Sequence, residues 1–275
     1  MKLPVIIGII GYGVVGKAAD LTLSKRYETI IYDKYQDLDK FEKLIETDFV
    51  FIVVPTPFDC RKSTVNLSAV EESLRRLKEI NYSGIVIIKS TIPPGACDKF
   101  VEEYSLDIVF NPEFLRESTT PNEDFANQDT IVIGTEALST FNSVKEMYQE
   151  VAIPEAIYYH TTRKEAEMIK TAQNTMLASR VALANMIYDA CESNNIDYQK
   201  VKQIAFDNFE ILGPHMVQVP GPDGRREFGG KCLPKDIRAF STVYNSDLLD
   251  SIISYNDSLR DDLDDFLDNF RQKNI

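Results

Sequence analysis

Histidine is nearly absent: His160 and His215 are the only two among 275 residues, and they are not paired on a helix face. The four cysteines, Cys60, Cys97, Cys191 and Cys232, stand far apart, with no Cys-x-x-Cys pair and no metal-finger spacing. Such a sparse set of soft ligands speaks against a structural zinc centre. Positive charge is also in deficit, with 30 Lys and Arg against 43 Asp and Glu, a formal net charge of -13. That balance disfavours nucleic acid and anionic membrane surfaces as partners, and an anionic substrate would need a local basic patch. No long hydrophobic run occurs. The opening stretch LPVIIGIIGYGVVG (3–16) is broken by glycines, too short for a membrane span, and without a signal-peptide cleavage pattern. A cytoplasmic protein is expected. Internal repeats, low-complexity tracts and long linkers are absent too. What remains is ordinary globular material, 44% hydrophobic and 27% charged, enough for one large or two medium domains.

The first half alternates short apolar runs with helical spacing. VIIGIIG (5–11), TIIYD (29–33), FVFIVVP (49–55), IVIIKST (85–91), DIVF (107–110) and TIVIG (130–134) read as strands. Segments such as LSAVEESLRRLKEI (67–80) have helical periodicity. Near-continuous apolar strands between helices predict a mostly parallel, doubly wound sheet covered on both faces. GYGVVG (11–16) follows the first strand, opens a helix, and is followed by Asp33 at the end of the second strand. Gly11, Gly13 and Gly16 in that context fit the dinucleotide fingerprint. The pyrophosphate would sit at the helix N-terminus, and Asp33 would accept from ribose hydroxyls and repel a 2′-phosphate, favouring NAD over NADP.

Three further loops follow strands, where ligands of open α/β sheets bind. VVPTP (53–57) and KSTIPPG (89–95), which carries Thr91, are open both to a site reading and to plain turn chemistry. NPEFLRES (111–118) carries Glu113 and Glu117 four apart; on a helical turn they would share a face, and two solvated carboxylates are the simpler reading.

From about 162 to 193 no proline or glycine interrupts the helical pattern, and Ile169, Met176, Leu177, Leu183, Ala184, Ile187 and Cys191 recur at helical spacing. A helix this long is expected to cross between domains or to form a homodimer core. Lys170 and Asn174, four apart, project from one face. An ammonium beside an amide suits an oxygen that becomes an alkoxide; a lysine snorkelling over apolar surface is the alternative. A Pro- and Gly-rich loop (213–224) precedes Arg225 and Arg226, which suit a diphosphate or are solvated loop charges. FGGKCLPKD (228–236) places Cys232 between glycines and a Lys-Asp pair, a composition that fits a reactive loop. IRAFSTVY (237–244) and the segment from Ser258 read as helices, the latter with a stripe of Leu259, Leu263, Phe266, Leu267 and Phe270 docking on the chain's own core. The expected division is a dinucleotide domain at 1–160 and an α-helical domain with a long central helix at 161–275.

GYGVVG, VPTP, KSTIPPG, NPEFLRE, the Lys170/Asn174 helix and FGGKCLPKD, in that order and over nearly the whole chain, resemble the UDP-glucose/GDP-mannose dehydrogenase family. The resemblance implies a four-electron oxidation of the C6 hydroxyl of a nucleotide sugar, UDP-glucose to UDP-glucuronate first among candidates. It makes Cys232 the nucleophile of a thiohemiacetal and thioester. Lys170 would stabilise oxyanions and Asn174 would hold the sugar oxygen. Asp236 would support Lys170 and a water, Thr91 would hold a water, and Glu117 would assist hydrolysis. NAD would lie against Gly11, Tyr12, Gly13, Val14, Val15, Gly16 and Asp33, with Pro55, Thr56, Thr91, Glu117 and Lys235 nearby. Substrate would meet Glu113, Phe114, Leu115 and Arg116 in one loop and Arg225, Arg226, Phe228 and Gly229 in another. Members usually carry a further α/β domain over the nucleotide, and the chain stops before one. Two other readings stay open: a two-electron β-hydroxyacid dehydrogenase, and a non-catalytic NAD-binding partner subunit.

Overall fold

The computed structural model describes residues 4–59, 62–114, 121–210, 212–213, 216–230, 232–244 and 246–260. The expectations for Cys60, Leu115, Arg116, Glu117 and His215, and for the apolar stripe from Leu263 onward, lie outside the described residues. The chain forms β1 (Ile6–Ile10), α1 (Val14–Leu23), β2 (Glu28–Tyr32), β3 (Phe49–Ile52), β4 (Phe58–Asp59), β5 (Thr64–Val65), α2 (Ser68–Glu79), β6 (Ile85–Ile88) and α3 (Ala96–Tyr104). It continues through β7 (Asp107–Phe110), α4 (Pro121–Ala126), β8 (Thr130–Gly134), α5 (Leu138–Gln149), β9 (Ile157–Thr161), α6 (Arg163–Ser193), α7 (Tyr198–Lys202), α8 (Leu233–Val243) and α9 (Asp247–Ser258). It separates into two compact units, residues 1–56 with 66–170, and residues 57–65 with 171–275.

The first unit is a seven-stranded sheet in the order β2-β1-β3-β6-β7-β8-β9, parallel except between β7 and β8. Its central strands bury both faces, and successive side chains alternate between two cores. Ile7, Ile9, Phe49, Phe51, Ile87 and Val109 pack on one side with Ala18, Leu23 and Tyr148. Ile10, Val50, Ile52, Val86, Ile88 and Phe110 pack on the other with Leu74, Leu77 and Phe100. Each such side chain taken fully from water contributes roughly 1.5–3 kcal/mol. The strand order reverses at β1, between β2 and β3, so the loops after β1 and β3 flank the crevice where ligands of such sheets bind. Strand β9 was not anticipated: Ile157 and Tyr159 are exposed on an edge strand, so its apolar pattern is not that of a buried strand.

The second unit has a smaller core. One cluster gathers Ala178, Ala182, Phe228, Ile237 and Leu249; another gathers Ala184, Cys191, Tyr198, Val217 and Val219. The apolar residues of α6 divide into two sets. Its small residues Ala178, Ala182 and Ala184 face inward, where they permit close helix approach. Met176, Leu183 and Met186 face outward, 65%, 51% and 53% exposed. The hairpin β4–β5 lies against α8.

Candidate active site

The turn after β1 admits only glycine at two points. Gly11 has φ +98°, and a Cβ there would lie 2.9 Å from the Val53 carbonyl oxygen; one on Gly16 would lie 2.1 Å from the Gly11 carbonyl oxygen. At Gly13 the space is open, with nothing within 4 Å, so its missing side chain leaves room for something outside the chain. Helix α1 starts there with Gly13 as cap and without any acidic side chain in its first turn, leaving amide donors available to an anion. Asp33 is fixed beside this turn, accepting the Tyr12 amide at 2.7 Å and the Tyr35 amide at 2.8 Å. Lys34, the nearest cation in sequence, is held by both carboxylate oxygens of Glu72 at 2.9 and 3.0 Å. Tyr12 donates its hydroxyl to Asp20, which with burial pushes that phenol up from its ordinary value. Val14 is exposed and Val15 half-buried at the helix start. An open glycine, unsatisfied amides and a seated carboxylate fit the pyrophosphate and ribose of NAD.

The loops after β3, β6 and β7 are tied to one another. Buried Thr56, next to exposed Pro55, donates to the Thr91 carbonyl at 2.6 Å, and Ser90 donates to the Val54 carbonyl at 2.7 Å. One expectation is corrected here, for Glu113, and one alternative falls away, for Lys170. Glu113 is not a solvated carboxylate on a helical turn: residues 111–114 are irregular, Glu113 is buried, and its carboxylate takes Lys89 at 3.0 Å and the Phe114 amide at 3.0 Å. Lys170 does not snorkel. It is buried, donates to the Glu113 carbonyl, and stands 5.5 Å from the Phe114 ring centre. Three residues earlier on α6, Glu167 accepts the amides of Gly95 and Cys97 at the start of α3. Burial raises its carboxyl, against those two amides, which lower it.

In the second unit, exposed Cys232 caps the N-terminal end of α8, and the Asp236 amide donates to its carbonyl at 2.8 Å. Asp236 is fully buried, accepts from the Asn174 amide group, and pairs with Lys235 at 3.1 Å. Phe228 is buried, and Gly230 adopts φ +73°, a left-handed conformation that favours glycine. Gly229 is half-buried, with Asp223 4.0 Å from where a Cβ would stand. The two arginines differ. Arg226 donates to Asn185 at 3.1 Å and Asp189 at 2.5 Å and lies over Tyr188, so it fastens its loop to α6. Arg225 is more exposed and 3.5 Å from Glu227.

Thus one unit brings together the glycine turn and Asp33, Thr56 and Thr91, and Glu113, Phe114 and Lys170. The other brings together Asn174, Lys235, Asp236 and the Cys232 cap. Sequence reading missed Lys89, Asn111, Tyr148, Glu167 and Asn256, all buried polar groups. The one signal was a lysine directly after the apolar strand IVII. No group of metal-ligating side chains occurs among the described residues.

Among proteins of known activity, the chain is 32% identical over 219 residues to a UDP-glucose 6-dehydrogenase of Rickettsia bellii, covering 77% of this chain and 48% of that one. It is 32% identical over 235 residues to UDP-glucose 6-dehydrogenase YwqF of Bacillus subtilis, covering 79% and 50%. The chain thus spans about half the length of the curated relatives it matches. In fold it resembles a UDP-glucose dehydrogenase from Pyrobaculum islandicum, with TM-score 0.80 and 23% identity over 93% of this chain and 68% of that one. It also resembles a 3-hydroxyisobutyrate dehydrogenase of Mycobacterium tuberculosis, with TM-score 0.71 and 15% identity over 99% and 100%. Residues 33–152 match the model of the UDP-glucose/GDP-mannose dehydrogenase family's NAD binding domain, and residues 164–258 match that of its central domain. With both models matched in order, the chain belongs to the UDP-glucose/GDP-mannose dehydrogenase family.

Proposed function

We propose that the chain is an NAD-dependent nucleotide-sugar 6-dehydrogenase that oxidises the C6 hydroxyl to a carboxylate, with UDP-glucose as substrate. The observation that carries this reading is Cys232: an exposed thiol at the N-terminal end of α8, one turn ahead of a buried Asp236 paired with Asn174. A two-electron oxidation needs no such cysteine.

Gly11, Gly13, Gly16, the start of α1 and Asp33 hold the cofactor, with Pro55, Thr56 and Lys235 nearby. NAD bound there would supply the hydride acceptor, two NAD molecules in succession each taking one of the two hydrides that leave C6. The C6 hydroxyl gives its proton to the water held at Thr91, Lys170 stabilises the alkoxide so formed, and the first hydride leaves as the aldehyde forms, with Asn174 orienting the sugar oxygen. The Cys232 sulfur adds to the aldehyde carbon; the helix end beside it favours the thiolate. The thiohemiacetal loses the second hydride and becomes a thioester. A water held by Thr91 and Asp236, with Glu117 assisting, attacks the thioester and releases the thiol and the acid. Water supplies the second carboxylate oxygen, and two NADH form per sugar. Substrate contacts are assigned to Glu113, Phe114, Leu115 and Arg116 in one loop and to Phe228, Gly229, Arg225 and Arg226 in another, Arg225 being the more accessible of the two arginines.

The outward stripe of Met176, Leu183 and Met186 on α6 favours a homodimer through that helix. We assign the protein to the cytoplasm; its net charge of -13 disfavours nucleic acid and anionic membranes as partners, and no described helix is long and apolar enough to cross a membrane. A second reading, a β-hydroxyacid dehydrogenase, is favoured by the full-length likeness to the 3-hydroxyisobutyrate enzyme. The purified chain with a panel of UDP- and GDP-sugars decides. Two NADH per sugar and an acid product support the proposal; one NADH with a carbonyl product supports the alternative; no turnover leaves an NAD-binding partner subunit.

A further inference from the structure

Lys89 ends the apolar run of β6 with its side chain wholly inside the protein. Its ammonium meets Asn111 Oδ1 at 2.8 Å, Glu113 Oε2 at 3.0 Å and the Tyr148 hydroxyl at 3.4 Å, and lies 5.2 Å from the Phe125 ring centre. The Tyr148 hydroxyl donates to Asn111 Oδ1 at 2.6 Å, and Asn111 Nδ2 donates to the Val132 carbonyl at 2.7 Å. Strands β6 and β8, the loop after β7 and helix α5 therefore share one buried polar network. Burial alone would press the lysine toward its neutral form, but the Glu113 charge and Tyr148 hold it above its ordinary value, so it stays charged.

A buried ion pair is weak evidence of stabilisation, because apolar side chains of like volume often serve a core as well or better. The charge is explained by what its partner does. Glu113 receives Lys89 on one carboxylate oxygen and the Phe114 amide on the other, which fixes the peptide at 113–114. That same residue's carbonyl accepts from the Lys170 ammonium, with the Phe114 ring beside it.

We infer that Lys89 is a positioning residue: by clamping the Glu113 carboxylate, it fixes the carbonyl that seats the Lys170 ammonium. This rests on the reading of Lys170 as the group that stabilises the alkoxide. The Lys89 side chain is wholly buried, so it offers no atom to a substrate. A displacement of the ammonium by about 1 Å is enough to slow the reaction by up to about a hundredfold.

The test uses the full chain with Lys89→Met and, as a milder change remote from the reacting groups, Tyr148→Phe. The latter removes the hydroxyl that both meets Lys89 and holds Asn111. Turnover is expressed per NAD-binding site, so that unfolded protein is not counted. The expected result is kcat lowered about tenfold or more in Lys89→Met and several-fold in Tyr148→Phe, with NAD affinity unchanged in both. Lower melting temperatures with kcat per NAD site equal to the parent's would mark a purely structural network and overturn the proposal. If Lys89→Met does not fold, Tyr148→Phe decides alone by the same criterion. If the parent gives no turnover with any sugar, the dehydrogenase reading has failed on its own. Crystal structures of the variants then decide: a Lys170 still seated on an unmoved Glu113 carbonyl overturns the positioning role, and a displaced one supports it.

Discussion

Asn256 binds both backbone polar groups of Phe228, accepting the amide at 2.7 Å and donating to the carbonyl at 3.3 Å. The pair is buried, and Arg260 adds a second donor to the same carbonyl at 3.0 Å. Helix α9 thereby fixes the loop that leads into Cys232. Asn256→Ala leaves the buried Phe228 amide without its acceptor while Arg260 still serves the carbonyl, which lowers stability by roughly 1–3 kcal/mol. Urea unfolding of parent and variant measures it; a change within about 0.5 kcal/mol would show that solvent replaces Asn256 freely.

Asp33 accepts two amides and has no free cation beside it in sequence, because Lys34 is engaged by Glu72. A 2′-phosphate would meet uncompensated negative charge. Asp33→Ser with Glu72→Gln removes the carboxylate and releases the lysine. The ratio of kcat/KM for NADP to that for NAD is expected to rise about tenfold or more, the scale of losing a charged hydrogen bond. An unchanged ratio would place cofactor selection elsewhere.

Glu167 gives a pH dependence with a definite sign. Burial raises its carboxyl above the ordinary 4.5, so the fold favours its protonated form. The stability linked to that proton is fully present below 4.5 and is lost as pH rises through the higher folded value. Measured against Glu167→Gln, which cannot titrate, the parent should lose relative stability over that window, by at most about 1.4 kcal/mol per pH unit. A flat difference from pH 4 to 7 would refute it.

The parts legible in sequence were local. IVII, FVFI and IIGII are buried on both faces as their composition dictates, and the glycine spacing fixed the turn before α1. The long helix runs Arg163–Ser193, close to its predicted bounds. Illegible were features set by distant partners. Lys89 finds Asn111 and Tyr148 at separations of 22 and 59 residues, and no local pattern announces such a pairing. Helix α9 went unread because Leu249, Ile252 and Ile253 sit among Ser, Asn and Asp. The hairpin β4–β5 has two residues per strand, too few for periodicity to register.

Lys170 offers its charge from a buried position, seated on the Glu113 carbonyl. If it stabilises the developing alkoxide, Lys170→Ala should lower kcat roughly a hundred- to a thousandfold, the scale for losing one oxyanion donor. NAD affinity should hold, because the glycine turn and Asp33 are untouched. Stopped-flow turnover with separate NAD titration checks both, and near-parent turnover would remove Lys170 from the chemistry.

The cysteines differ in what their surroundings allow. Cys97 is buried beside Glu167, and burial and that carboxylate push its thiol well above the ordinary range. Cys191 is buried among Ala184, Tyr198 and Val219. Cys232 alone of the described three is exposed, at the end of α8 where the helix favours a negative sulfur. Iodoacetamide at neutral pH should therefore modify Cys232 in the native chain and leave Cys97 and Cys191 intact, read by peptide mass. Turnover should fall in step with that modification. Cys232→Ala should give no acid product, and Cys232→Ser should stall after a slow covalent step, visible as an adduct in intact mass. Cys97→Ala and Cys191→Ala should keep two NADH per sugar. Acid formation by Cys232→Ala at the parent's rate would end the nucleophile assignment, because no other thiol among the described residues is exposed.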